Sequence, residues 1–410
     1  MKAVIFNLGC KVNQYECDVL AQELEKRGFT TFSDLVPADL YIINTCAVTK
    51  EAEKKSRQAI ARCKKLNENC SVIICGCASE KAPDSFLREN VKFVGGVAEK
   101  MKILNIVDSN FNQTSFIAPI PNTCEETNLQ TVSRTRAFVK IQDGCDNFCS
   151  YCIIPYLRGR SRSRSIDEIV KEINVLSKNV SEIVLTGINM SSFGKDIGVN
   201  LTDLIKKLAD IDVRIRLGSF YAEAINKELL DALFSLKKFC PHFHLSLQSG
   251  DDSVLKAMRR KYTTKDYEKA IELIRCYDSN AAITTDIIVG FPTESEENFV
   301  SATDFIKRIG FSDIHIFPFS AREGTAAYNY PPLPNEVIKR RKEILSGVKR
   351  EAIKAYLLKN IGVKQEVLIE KSSGEYSEGY SRYYIKTYTK KDGTIVDVMP
   401  KELFKDGLKE

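Results

Sequence analysis

Gly144-Cys145-Asp146-Asn147-Phe148-Cys149-Ser150-Tyr151-Cys152 is the stretch around which this 410-residue chain is organised. Its cysteines stand in a C-x3-C-x2-C spacing. Iron–sulfur clusters are held by Cys thiolates, so three thiolates on one short loop can hold three irons of a four-iron cluster. The fourth iron is then free for a substrate or cofactor. A closed structural zinc site instead wants four ligands, usually as two close pairs. No fourth Cys or His lies nearby, and the three histidines of the chain are His242, His244 and His315. His242 and His244 fall on one side of an expected strand, where packing or hydrogen bonding is commoner than ligation. The spacing favours the open cluster. Arg158, Arg160, Arg162 and Arg164 follow at once. Beside such a loop they can pair with phosphates of RNA, or with carboxylates such as Asp167 and Glu168.

The loop follows the first of six expected strands: 137–142, 182–187, 213–219, 242–248, 282–290 and 313–319. Helical patterns alternate with them near 166–178, 201–210, 226–238, 264–276 and 295–309. Six such units suit a partial, open (βα)6 barrel, with its chemistry at the C-terminal ends of the strands. Upstream, 2–7, 40–44 and 71–75 are short β-branched runs separated by helical patterns at 12–27, 49–67 and 79–90. That alternation predicts a Rossmann-like parallel sheet. Cys10, Cys46 and Cys77 each fall just past one of its strands, so they would gather beyond the strand ends, where open parallel sheets bind ligands. Spacing alone equally allows them to be buried core thiols. Cys75 is read as the last strand residue.

The expected division is 1–110, a linker at 111–133, a barrel at 134–360 ending in a helix over 334–358, and a tail at 361–410. The tail reads as a small all-β module with strands near 365–369, 383–388 and 395–398. Its Tyr and Lys residues could stack bases and neutralise phosphates or form a plain solvated face. The chain has 43% hydrophobic and 28% charged residues, normal for a globular protein. No apolar run reaches the ~18 residues of a membrane span, and the first residues read as a strand rather than a signal peptide. The expectation is a cytoplasmic, membrane-free monomer. In a reducing compartment its 13 cysteines fit cluster binding better than disulfides. Cys17, Cys63, Cys70, Cys124, Cys240 and Cys276 are read as ordinary buried thiols. A net charge of +6 permits a nucleic-acid partner without requiring one.

The cysteine loop with its aromatic Tyr151 resembles the radical S-adenosylmethionine (SAM) superfamily. LGCKVNQYE (8–16), INTCAVT (43–49), GCA (76–78), QDGCDNFCSYCIIPYLRGRSRSR (142–164), LTGIN (185–189), LSLQSG (245–250) and TTDIIVGFPTE (284–294) together resemble the radical SAM methylthiotransferases. The tail resembles their RNA-binding TRAM module. The resemblance implies two 4Fe-4S clusters. Cys145, Cys149 and Cys152 would ligate the one that binds SAM, and Cys10, Cys46 and Cys77, rather than Cys75, an auxiliary one. It implies reductive cleavage of SAM to a 5′-deoxyadenosyl radical by a flavodoxin- or ferredoxin-type electron donor. Sulfur would be delivered to C2 of an adenine, and a second SAM would supply the methyl group. Tyr151, Gly187, Asn189, Ser219 and Gln248 become candidate SAM contacts. Arg158, Arg160, Arg162 and Arg164 become candidate contacts to a tRNA anticodon stem-loop. The MtaB-type group, acting on N6-threonylcarbamoyladenosine, is the nearest. Groups acting on N6-isopentenyladenosine or on a ribosomal-protein aspartate are the alternatives, and a non-catalytic metal-stabilised RNA-binding protein is the reading from another class.

Overall fold

A computed structural model describes residues 1–98, 100–107 and 114–410. The expected boundary at 110/111 and the start of the linker lie outside the described residues. The first module contains β1 (Lys2–Asn7), α1 (Lys11–Lys26), β2 (Thr30–Phe32), β3 (Leu40–Thr45), α2 (Lys50–Leu66), β4 (Ser71–Gly76), α3 (Cys77–Lys81), β5 (Val91–Gly95), α4 (Ile103–Val107) and β6 (Thr114–Phe116). Its strands form a parallel sheet in the order β2-β1-β3-β4-β5-β6. The central β3 is buried along its whole length, as expected of a parallel strand covered on both faces. The helix expected over 79–90 is instead the short α3 followed by a 3-10 turn at Pro83–Phe86. Pro83 cannot donate to the helix and keeps Ala82 out of the helical region, at φ −149° and ψ 71°.

The barrel follows with β7 (Arg136–Asp143), α5 (Ile154–Arg158), β8 (Arg162–Ser163), α6 (Ile166–Leu176), β9 (Glu182–Gly187), α7 (Leu201–Lys207), β10 (Arg214–Leu217), β11 (Ser219–Phe220), α8 (Lys227–Ser235), β12 (His242–Leu245), α9 (Asp252–Ala257), α10 (Thr264–Tyr277), β13 (Ala282–Val289), α11 (Glu296–Ile309), β14 (Asp313–Pro318) and α12 (Asn335–Lys359). Parallel pairing runs β7-β9-β10 and then β11-β12-β13-β14. β10 and β11 are one expected strand interrupted at Gly218, whose N–H donates to Leu185 O at 2.8 Å. A side chain there would meet that oxygen, so only glycine allows the approach. The two runs together are the expected six-stranded open barrel, with β8 adding antiparallel to the edge of β7. Ser165, Asn200, Asn226, Asp251, Thr263 and Ser295 cap the starts of α6, α7, α8, α9, α10 and α11 through their side chains, which is why the helices begin where they do.

The tail closes as β15 (Gln365–Ser373), β16 (Tyr376–Ser381), β17 (Lys386–Thr389), β18 (Ile395–Val398), β19 (Glu402–Phe404) and β20 (Gly407–Lys409). It is one sheet in the order β18-β15-β16-β17-β20-β19, twice the three strands expected. The run expected as a strand over 383–388 contains a reversal. Tyr384 sits at φ +60° and donates from its backbone to Ser381 O at 3.0 Å.

The barrel grips this reversal from below. Glu182, fully buried, is shared by Arg136 (2.7 Å), Arg216 (2.7 Å) and Arg214 (3.4 Å). Arg216 in turn donates to Arg382 O and Ser381 O at 3.1 and 3.2 Å, and Arg382 Nε to Phe239 O at 2.8 Å. Burial pushes the Glu182 carboxyl up, but Arg216 and Arg136 outweigh it and hold it at about 2. A depressed carboxylate contributes stability at pH values above its unfolded pKa, lost as pH falls through the folded one. Glu182→Gln is therefore expected to cost about 3–5 kcal/mol at neutral pH. In guanidinium melts that deficit should shrink as the pH falls from about 4.5 toward 2. A variant as stable as the parent at neutral pH would show that Glu182 does not hold these arginines.

Candidate active site

The C-terminal ends of the first sheet and of the barrel open onto one cavity of about 830 Å³. Cys10, Cys46 and Cys77 line it from one side, and Tyr151 and Cys152 from the other. Cys10 caps α1 directly after β1, Cys46 follows β3, and Cys77 opens α3 directly after β4. Gly76, at φ +105°, makes the last turn possible, since a Cβ there would lie 2.5 Å from Asn44 Oδ1. Cys10, Cys46 and Cys77 are close enough to feel one another's charge, as are Cys145, Cys149 and Cys152. Cys145 and Cys149, on the same loop as Cys152, are both buried. Cys75 packs away from this cavity, among Ile5, Cys17 and Ile73.

Gly187, Asn189, Ser219 and Gln248 also line the cavity. Asn189 receives a hydrogen bond from none of its neighbours at Oδ1, which is buried without a partner. Gln248 is held at φ +71° by strand-like bonds to β13, its N–H donating to Asp286 O and its carbonyl accepting from Ile288 N. Tyr151 packs against the Val254–Met258–Phe291 cluster. Of the six cysteines expected to be buried, Cys17, Cys63, Cys70, Cys124 and Cys240 are, but Cys276 is exposed. The buried face of α10 is Tyr267, Ala270, Ile271 and Ile274, and Cys276 falls off it.

The arginine run divides. Arg158 is 1% exposed and lies between the first sheet and the barrel. It donates to Asp143 Oδ1 at 2.9 Å, Glu16 Oε1 at 3.1 Å, Asn13 Oδ1 at 2.8 Å and Cys77 Sγ at 3.3 Å. Arg164 is fully buried against Glu172 (2.6 Å) and the Tyr15 hydroxyl (3.1 Å). Arg162 donates to the carbonyls of Arg158 and Arg160 at 2.7 and 3.0 Å. None of these three is available to a phosphate. Asp167 and Glu168 are not their partners; those come from α1, β7, α6 and the segment before β7. Arg160 alone is exposed, at 73%, beside Asp146 and over the Phe148 ring.

Glu16 is the acid at the centre of this buried charge. Lys100 pairs with its other oxygen, and Lys140 lies 3.8 Å from Oε1 and 3.6 Å from Asp143. Burial raises the Glu16 carboxyl, but Arg158, Lys100 and Lys140 together hold it well below the usual carboxylate range. The thiols behave oppositely. Burial pushes Cys46 up to about 11 and Cys152 to about 12, so ligation must release their protons.

Sequence reasoning passed over Arg260. It is half-buried at the cavity edge, donates to Cys149 Sγ at 3.6 Å and Ser246 O at 3.0 Å, and stacks over Tyr221 at 4.2 Å. Its only signal was a basic Arg259-Arg260-Lys261 run that reads as surface. His242, His244 and His315 also all line the cavity. Among the described residues no group of three or more His, Cys, Asp or Glu side chains could hold a single metal ion. Two separate sets of three sulfurs fit clusters, in which each thiolate has its own iron.

Comparison with known proteins places this geometry. The chain is 38% identical to the threonylcarbamoyladenosine tRNA methylthiotransferase MtaB of Thermotoga maritima, over 94% of this chain and 91% of that one. It is 34% identical to the tRNA-2-methylthio-N(6)-dimethylallyladenosine synthase of Dictyoglomus thermophilum, over 90% and 87%. The chain belongs to the radical SAM methylthiotransferase family, MtaB type. Family models match at residues 139–306 (radical SAM superfamily) and 2–96 (uncharacterized protein family UPF0004). The fold is also that of the radical SAM methyltransferase TsrM from Kitasatospora setae, solved with cobalamin and an iron–sulfur cluster. The two share 16% identity at a TM-score of 0.57, over 80% of this chain and 77% of that one.

The placement of the arginines separates two substitutions a sequence reader would treat alike. Arg158→Met takes from buried Glu16 and Asp143 the guanidinium that hydrogen-bonds both, leaving them only their lysine partners, and should cost about 3 kcal/mol. Arg160→Ala should change stability by no more than about 0.5 kcal/mol. Urea unfolding of both variants checks this, and equal losses would contradict the burial of Arg158.

Proposed function

We propose that this protein methylthiolates C2 of N6-threonylcarbamoyladenosine at position 37 of tRNA. The observation that carries the proposal is the single cavity with Cys10, Cys46 and Cys77 on one wall and Tyr151 and Cys152 on the other. The activity for which the MtaB relative of Thermotoga maritima is named supports the choice of nucleoside. Cys145, Cys149 and Cys152 would hold one 4Fe-4S cluster with an open iron for SAM, and Cys10, Cys46 and Cys77 the auxiliary one. When bound, these groups supply radical cleavage of an unactivated C–H bond and the sulfur to be inserted.

The chain's own residues bind, orient and exclude water. Tyr151 would pack against the adenine of SAM, Gly187 would admit its close approach, and Asn189, Ser219 and Gln248 would offer polar contacts. Arg158 donates to Cys77 Sγ and Arg260 to Cys149 Sγ, so each cysteine set has one of its sulfurs held by a guanidinium. Arg160, over Phe148, is the member of the arginine run left to meet RNA phosphate, beside the Tyr- and Lys-bearing tail. In this proposal residues 1–110 carry the auxiliary cluster, 134–360 the SAM site and 361–410 the RNA-binding surface, joined by 111–133. The protein works in the cytoplasm as a monomer, with a flavodoxin or ferredoxin as electron donor.

Nucleosides of tRNA from a strain lacking this protein decide the substrate. The 2-methylthio form of N6-threonylcarbamoyladenosine should vanish and return on complementation. Loss of the N6-isopentenyladenosine derivative instead would move the protein to the second tRNA group. Anaerobically purified protein should carry about eight irons per chain, and Cys149→Ala should abolish 5′-deoxyadenosine formation. Zinc without iron would refute the chemistry.

A further inference from the structure

One end of the cavity carries polar groups that neither cysteine set uses. Lys11, the first residue of α1, lines the cavity and has no hydrogen bond or ion pair among the described residues. The other cations here are matched. Arg136 and Arg216 share Glu182, and Arg136 also pairs with Glu370 at 2.9 Å. Arg260, near the cysteine loop, is occupied by Tyr262, Ser246 and Cys149. Asp286 attracts Lys11 but is bonded to His244 Nε2 at 3.2 Å. A cavity-lining ammonium without an acid partner is a site for an anion.

A second group beside it is also unsatisfied. His242 is 4% exposed, lines the same cavity, and has a buried Nδ1 with no partner. Its other nitrogen and His244 Nδ1 both lie 2.9 Å from the Thr284 hydroxyl. Asp286 takes a hydrogen from His244 Nε2. The Thr284 hydroxyl has a single hydrogen, so it can donate to only one of the two rings. Whichever ring that is, His242 Nδ1 is left with one hydrogen bond to make. The ring is held in place by Tyr384 of the tail, stacked at 4.5 Å with an interplanar angle of 0°, and Tyr384 is stacked on Tyr380 at 4.8 Å. Lys11 and His242 are near enough for each to feel the other's charge.

We infer that Lys11 and His242 form the pocket that recognises the threonylcarbamoyl side chain of the substrate nucleoside, Lys11 pairing with its carboxylate and His242 Nδ1 hydrogen-bonding with its hydroxyl or ureido group. A cation beside a hydrogen-bonding ring nitrogen suits that group, which carries an anion together with hydroxyl and ureido groups. It does not suit an isopentenyl group, which has none of these and would leave the Lys11 ammonium and the buried His242 Nδ1 without a ligand partner. The inference rests on the nucleoside proposed above and assigns the residues that select it.

The test is binding of anticodon stem-loop RNA to the cluster-loaded full chain, followed by fluorescence anisotropy without a reductant. Three RNAs are compared, bearing N6-threonylcarbamoyladenosine, the same nucleoside with its carboxylate capped as the methylamide, or N6-isopentenyladenosine. Wild-type protein should bind the first about ten- to a hundredfold more tightly than the second, as expected for a charge-assisted bond. Lys11→Met should bind both equally, and Lys11→Arg should restore part of the difference. His242→Phe, which keeps the stack on Tyr384, should weaken the first RNA severalfold yet keep the preference over the capped one. If the first RNA is preferred to the isopentenyl RNA but Lys11→Met keeps full discrimination against the cap, the pocket is wrong and the nucleoside stands. If the isopentenyl RNA binds best, the nucleoside is wrong. Circular dichroism and iron content equal to wild type establish that each variant is folded and loaded.

Discussion

The structure depends on a buried ionic knot. Arg158 leaves the barrel just after the cysteine loop and ends against Glu16 and Asn13 of α1, Asp143 of β7 and Cys77. Lys100 and Lys140 complete it around Glu16. Buried charges are costly to desolvate and tolerate little misplacement. The knot therefore sets the first sheet against the barrel in one orientation, and that orientation turns the ends of two separate sheets toward a common space. Without it Cys10, Cys46 and Cys77 would have no reason to stand opposite Cys152.

A second ionic centre does the same for the tail. Glu182 gathers three barrel arginines, and Arg216 extends from it to the backbone of the Ser381–Tyr384 reversal. Tyr384 and Tyr380 are thereby delivered to the cavity wall. The cavity is built from all three modules: α1 and the first sheet, the barrel strand ends, and the tail. Each contributes a different kind of group, respectively sulfur with the Lys11 ammonium, sulfur with polar strand-end residues, and stacked aromatics. A nucleoside presented on RNA needs this combination of shape and charge.

Much of the architecture was legible because it rests on local rules. Alternating β-branched runs and capped helices mark out the six barrel units, and Cys145, Cys149 and Cys152 are neighbours in sequence. Local rules failed where a single residue reversed the chain. Pro83 cut short the helix expected over 79–90, and Tyr384, in the left-handed region, split an apparently continuous strand. The all-β tail consequently has twice the expected strands. Cys276, expected as an ordinary buried thiol, lies in solvent because its position on α10 is off the helix's buried face.

The sequence by itself determined the alternation of strands and helices, the open set of three cysteines after the first barrel strand, and the family, because each is written in short-range spacing or in contiguous motifs. Tertiary structure alone decided what the arginines do. Four of them in seven residues look alike in a string, but their surroundings come from residues up to 149 positions away. Burial and partner, not spacing, make Arg158 and Arg164 internal struts and leave Arg160 in solvent. The same holds for Lys11 and His242, which lie 231 positions apart in the chain and acquire a shared role only when two sheets meet.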